Sequence, residues 1–207
     1  MRRAREIPGV EQASMANSTL TMPLSSAGAP VPLPSGEWAR VPMLMVYPNY
    51  FATVGMPIIS GRDFGAADLS EQAPGVCIVN EAFVRRVFLG ENPIGRPCYT
   101  GRRARLQSTM PAQMPQTEPF QIVGVVRDSR YTNPRGETQP LIYMTFLQTS
   151  TGRGQMLLHL RVTGNAGLVV QRVREEVAAI DPAMPMFDVH TLEEEMNAAL
   201  VQQRLIA

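Results

Sequence analysis

The stretch Val76–Arg96, VCIVNEAFVRRVFLGENPIGR, sets the reading of the whole chain. Val76–Val79 is an apolar strand, and Asn80 is a residue type that caps helices with its side-chain oxygen. Phe83, Val84, Val87 and Phe88 then give one apolar helical face that stops at Gly90. Asn92-Pro93 turns the chain and Gly95 permits a tight bend. Strand, capped helix and turn follow in succession with no residue left over for chemistry, so the segment reads as scaffold.

Outward from it, the N-terminal side begins with Arg2–Ile7, the basic last turn of a helix stopped by Pro8-Gly9, and a strand over Val10–Met22. Ser25–Gly36 is rich in Pro, Ser, Ala and Gly and predicts a loop. A strand follows over Arg40–Tyr47, then a short helix from Pro48-Asn49 through Phe51 and Val54 to Gly55. Gly61–Asp68 reads as a turn-rich connection. On the C-terminal side, Gly101–Glu118 is a polar, proline-containing surface loop, and Phe120–Arg127 and Leu141–Phe146 are strands separated by the Asn133-Pro134 and Arg135-Gly136 turns.

Beyond the linker-like Ser150–Gly154, Met156, Leu158, Leu160 and Val162 alternate with Leu157, His159, Arg161 and Thr163, which predicts a half-buried strand. Asn165 caps a helix with Val169, Val173, Val177 and Ile180 on one face, stopped by Asp181-Pro182. Met186–Val189 reads as a short strand. Thr191 and Glu194 form a capping box opening a last helix, with Leu192, Met196 and Leu200 at four-residue spacing. A chain that starts on the end of one helix and leaves on another looks excised from between two longer helices.

The chain has 207 residues with 44% hydrophobic content, enough to bury a globular core. Its 19 basic and 18 acidic residues leave a net charge of +1, so no global field favours nucleic acid. Every basic residue is arginine. Without lysine there is no Schiff-base nucleophile and no P-loop ATPase site. No run of 18 apolar residues or signal peptide is legible, and the chain is expected to be soluble.

Few residues compete for a chemical role. Asp188 and His190 stand two apart and could pair on one strand face, but no nucleophile accompanies them, and a polar residue before a helix cap is ordinary. His159 is explained by exposure on a polar strand face. Two isolated histidines and the separated Cys77 and Cys98 give no metal-ligand spacing. Cys77 reads as a buried strand thiol, and a bridge to Cys98 requires that the two segments pair in an oxidising compartment. Met110 with Met114 and Met184 with Met186 could offer thioethers to Cu(I), although gap-filling is the usual role. Arg102, Arg103 and Arg105 form the one dense basic cluster, read as a solvated loop tip. Gly61, Gly65, Gly90 and Gly95 make no dinucleotide fingerprint. Accordingly no catalytic, cofactor-binding or metal residue is assigned, and no cofactor is expected.

Four phrases, in order, carry a resemblance: VYPNYFATVGMPIISGRDF (Val46–Phe64), IVNEAFVRRVFLGENPIGR (Ile78–Arg96), IVGVVRDSRY (Ile122–Tyr131) and IDPAMPMFDVHTLEEEM (Ile180–Met196). Together with the Ile7-Pro8-Gly9-Val10 entry, they resemble the MacB-like periplasmic core domain of ABC-type permeases. The resemblance implies an α+β fold in two subdomains. Residues 1–53 with 155–207 would form a discontinuous porter-like α/β subdomain, and 54–154 an inserted, mixed β-rich subdomain containing one helix. It also implies a non-catalytic extracytoplasmic, periplasmic domain of an inner-membrane transporter that couples helix motion to efflux or export. Its expected partners are flanking transmembrane helices of the same permease, a cytoplasmic ATPase, a periplasmic adaptor protein and a second copy in a homodimer of the full-length permease, with no nucleic acid. The Gly101–Glu118 loop departs from the family's shorter hairpin. The competing readings are a free-standing soluble α/β hydrolase using Asp188 and His190, and a ligand-binding sensor domain.

Overall fold

A computed structural model describes residues 1–19, 28–70, 72–98, 119–129, 138–148 and 156–206. The Gly101–Glu118 loop with its arginines 102, 103 and 105, Met110, Met114, the turns at 133–136, the 150–154 linker and the far end of the first strand reading at 20–22 lie outside the described residues.

The opening motif folds as read. Strand β6 (Val76–Asn80) is buried at all five positions and leads directly into α3 (Glu81–Phe88). Asn80 Oδ1 accepts the Phe83 amide at 3.1 Å, the bond expected of its cap position. The helix ends with Leu89 at φ 53° and Gly90 at φ 86°, so the left-handed exit begins one residue before the glycine.

An eight-stranded mixed sheet carries the fold. Its other strands are β1 (Val10–Ala16), β4 (Met43–Val46), β5 (Ile58–Gly61), β7 (Pro97–Cys98), β8 (Phe120–Val126), β9 (Ile142–Thr145) and β10 (Leu157–Val162). They lie in the order β10-β1-β4-β9-β6-β8-β5, with β7 also on β8. The β4–β9 and β6–β8 pairs are parallel and the others antiparallel. The remaining helices are α1 (Arg2–Glu6), α2 (Tyr50–Val54), α4 (Ala166–Ile180) and α5 (Leu192–Ile206). This is the α+β fold that the sequence implies.

The period-two alternation of β6 divides the core between the two sheet faces. Val76 and Ile78 join Leu44, Val46, Val126 and Tyr143 beneath Tyr50, Phe51 and Val54 of α2. Cys77 and Val79 join Ile122, Val125, Ile142 and Met144 beneath Phe83 of α3. A third cluster binds Ile7, Val169 and Val173, with Val10, Leu160 and Val162 beside them, and so seats α1 and α4 on the β10–β1 end.

Several readings change, the first being that the strand read over Val10–Met22 ends at Ala16. The loop read over Ser25–Gly36 contains β2 (Ala29–Pro32), paired with β3 (Trp38–Val41) in a separate ribbon. Proline lacks the donor a central strand needs, but a two-stranded ribbon has free edges that tolerate Pro30 and Pro32, and Ala29 and Val31 are buried. The strand read over Arg40–Tyr47 is broken at Pro42 into β3 and β4, for the same lack of a donor. The turn-rich stretch beginning at Gly61 is preceded by an unread strand, β5, and contains a 3-10 turn at Ala66–Leu69. Met186–Val189 is not a strand, and Asp188 there has φ 59°.

Candidate functional site

The quoted phrases meet in space, at two places. The first is strand β8, where their polar residues are consumed in backbone bonds. Asn80 accepts the Leu141 amide at 2.9 Å as well as that of Phe83, and its Nδ2 donates to Gln139 O at 2.9 Å. Asp128, just past β8, accepts the Ala82 amide at 2.9 Å and Arg85 at 2.6 Å. Glu81 in turn accepts the Asp128 amide at 2.8 Å. A carboxylate at the start of α3 also meets the positive end of the helix dipole. The IVNEAF and VVRD phrases are therefore two halves of one cap.

The same strand receives the other phrases. The Gly95 amide of the ENPIGR turn donates to Ile122 O at 2.8 Å, and the Ile122 amide donates to Arg96 O at 3.0 Å. From the SGRDF phrase, the Arg62 amide donates to Val123 O at 2.9 Å. Glycine is required at this crossing, because a Cβ on Gly124 would overlap Arg62 O, and one on Gly61, at φ 73°, would overlap Val123 O. Arg62 then donates to both oxygens of buried Asp68, at 2.6 and 3.0 Å. That hydrogen bond holds the Asp68 carboxyl below its usual range, against burial, with the Gly65 amide assisting.

The second place gathers Asp188, His190 and His159, the residues singled out as chemical candidates. Asp188 and His190 do pair, with Oδ1 and Nδ1 3.3 Å apart. The left-handed turn at Asp188 brings them together, rather than a shared strand face. His190 Nε2 lies 3.5 Å from Oε2 of Glu195, whose side chain is only 14% exposed. His159 is not explained by exposure, since its Nε2 is shielded from solvent and its ring meets buried Tyr50 edge-on at 5.4 Å. Neither His159 Nε2 nor Tyr50 Oη has a hydrogen-bond partner among the described residues.

Burial pushes the His159 imidazole below its usual pKa; the Glu195 carboxylate opposes the shift and His190 adds to it. Burial, and then the Glu195 charge, raise Tyr50 far above a normal phenol, so it stays protonated. Tyr50 and Glu195 were not singled out by sequence reasoning. Tyr50 hides in an apolar run, whereas Glu195 could have been found: three residues past Leu192, it flanks the apolar face of α5.

The remaining candidates stay apart. Among the described residues no group of three or more His, Cys, Asp or Glu is placed to hold a metal. Met186 packs on the third core cluster, while Met184 is exposed. Cys77 and Cys98 are buried free thiols. Gln121 of β8 pairs with Val76 on one side and Pro97 on the other, so β8 runs between the two cysteine strands. No bridge joins them in the described structure. The hydrogen bond to Cys98, then burial, push the Cys77 thiol pKa up. No described helix is long and apolar enough to cross a membrane.

A mixed sheet sandwiched by short helices, with its signature residues spent on caps and strand crossings, defines a structural class before any name. The profile of the MacB-like periplasmic core domain matches residues 1–180, and the chain belongs to that family. The fold is similar to the periplasmic region of MacB from Actinobacillus actinomycetemcomitans, with TM-score 0.61 and 12% identity over 99% of this chain and 79% of that one. It is also similar to the extracellular domain of the noncanonic ABC-type transporter YknZ from Gram-positive bacteria, with TM-score 0.54 and 13% identity over 92% of this chain and 86% of that one. No curated protein sequence matches the chain.

Proposed function

We propose that this chain is the extracytoplasmic domain of an ABC-type permease, a non-catalytic module that couples motion of membrane helices to partner or substrate handling during export. One observation carries the reading: a single hydrogen-bonded sheet runs from β10 and β1, which seat α1 and α4, to β5 at the far edge. A continuous sheet with both faces packed moves as a body, because close-packed interiors transmit strain. Family membership and the MacB and YknZ likenesses agree with it.

In this reading residues 1–53 with 155–207 form one subdomain and 54–154 the other. The third core cluster draws only on the first set. The cluster beneath α2 joins both sets, through Tyr50 and Phe51 with Phe64 and Tyr143, and would make the boundary stiff. The partners of the reading are flanking membrane helices, a cytoplasmic ATPase, a periplasmic adaptor and a second permease copy.

The test is made in the intact permease with its ATPase. Asp128→Ala should loosen the cap joining β8 to α3, and export should fall several-fold while ATP hydrolysis continues. Undiminished export by a variant whose α3 amides have measurably lost exchange protection would overturn the coupling role.

A further inference from the structure

Helix α2 sits on β1 and β10, and side chains from those strands hold it at both ends. From β1, Ser14 Oγ donates to Tyr47 O at 2.8 Å, just ahead of the helix. From β10, Arg161 Nε donates to Thr53 O at 3.1 Å, near the helix C-terminus. Between these two clamps lie Tyr50 and His159, whose rings meet edge-on with centroids 5.4 Å apart. Tyr50 is 0% exposed, yet its Oη has no hydrogen-bond partner among the described residues. The solvent-shielded Nε2 of His159 has none there either. Leaving a buried polar atom unpaired is costly, and here two such atoms stand on adjoining side chains.

Ser14 adds a third polar group to the same patch. It is paired directly with His159 across the β1–β10 ladder, which puts the two side chains on one face of the sheet. That face is the one beneath α2, because Ala16, two residues on, belongs to the cluster under the helix. The Ser14 proton is spent on Tyr47 O, which leaves lone pairs on its Oγ free to accept.

We propose that a single internal water molecule is held here, bridging Tyr50 Oη and His159 Nε2 and tying the middle of α2 to β10.

The count of donors and acceptors selects water. Burial keeps the proton on the Tyr50 phenol and favours the neutral imidazole of His159, so no charge enters the patch from either ring. The phenol O–H is then the donor, and Nε2 and Ser14 Oγ are the acceptors. A water accepts from the phenol and donates to Nε2 and to Ser14 Oγ, which gives it three partners, the usual number for a buried water. An ion would find no opposite charge on these three groups to offset its loss of hydration. The arrangement also fixes the tautomer. His159 carries its proton on Nδ1, since an Nε2–H would make both rings donors and leave one water hydrogen without an acceptor.

A crystal structure of the 207-residue chain, with nitrogen NMR of its imidazoles, tests the site. At about pH 8, where histidine is neutral, His159 should show an unprotonated Nε2 and a protonated Nδ1. One water should stand about 2.7–3.2 Å from both Tyr50 Oη and His159 Nε2. Tyr50→Phe keeps the ring and removes the donor. It should lose that water, seen as one fewer long-lived internal water by relaxation dispersion of the water oxygen, while amide protection in α3 is unchanged. The unsubstituted chain decides the matter even if the variant does not fold. A dry contact, a direct Tyr50–His159 hydrogen bond, an Nε2–H tautomer, or a folded Tyr50→Phe variant that keeps the water would each overturn the proposal.

Discussion

At Asn80 a single amide side chain serves three backbone groups, those of Phe83, Leu141 and Gln139. It is nearly fully buried, so truncation strands the buried amides of Phe83 and Leu141 without a partner. Each such loss costs about 1–3 kcal/mol. Asn80→Ala is expected to destabilise the domain by about 3 kcal/mol, read as a lower denaturant midpoint with unchanged slope. Asn80→Asp keeps the two acceptor bonds, loses the donor and adds a buried charge, so it should not rescue. The cap was legible in the sequence because Asn before an apolar helical run has a local signature. The bonds to Leu141 and Gln139 were not, since nothing local marks partners some 60 residues away.

Among the elements, α3, α4, β8, β9 and β10 were legible because each carries a full period of apolar residues bounded by a cap or turn. The capping box of Thr191 and Glu194 likewise forms as read. What escaped were β2, β5 and the two-residue β7. Two prolines disguise β2, and β5 shows Ile58 followed by three exposed positions. Its position is set by the close approach of Gly61 and Gly124, a contact between strands rather than a pattern within one. Gly124→Ala should therefore cost about 2–3 kcal/mol by forcing β5 off β8, and amide exchange at Gly61 and Arg62 should accelerate before that of β6. Equal protection in the variant would show that the crossing has slack. The Asp188–His190 pairing was half legible: two-residue spacing suggested it, but a left-handed Asp188 produces it, and the Glu195 partner needed the tertiary fold.

For the molecule as a whole, family membership was legible because four phrases lie in order along the chain, and three of them converge on β8. A segment that must cap, cross and pack at once has few substitutes. The pair of buried thiols separated by β8 adds something different. Cys77 lies in a strand buried at every position, and both thiols are free and enclosed. In the described structure, then, the two sulfurs act as a built-in timer for opening of the central sheet. Under native conditions a thiol-reactive dye should modify both at one slow rate equal to that of global unfolding, and the rate should be insensitive to dye concentration once dye is in excess. Rapid labelling of Cys98 alone would mean that the short β7 strand detaches by itself. The labelling rate of these enclosed thiols would then measure how long the central sheet stays closed.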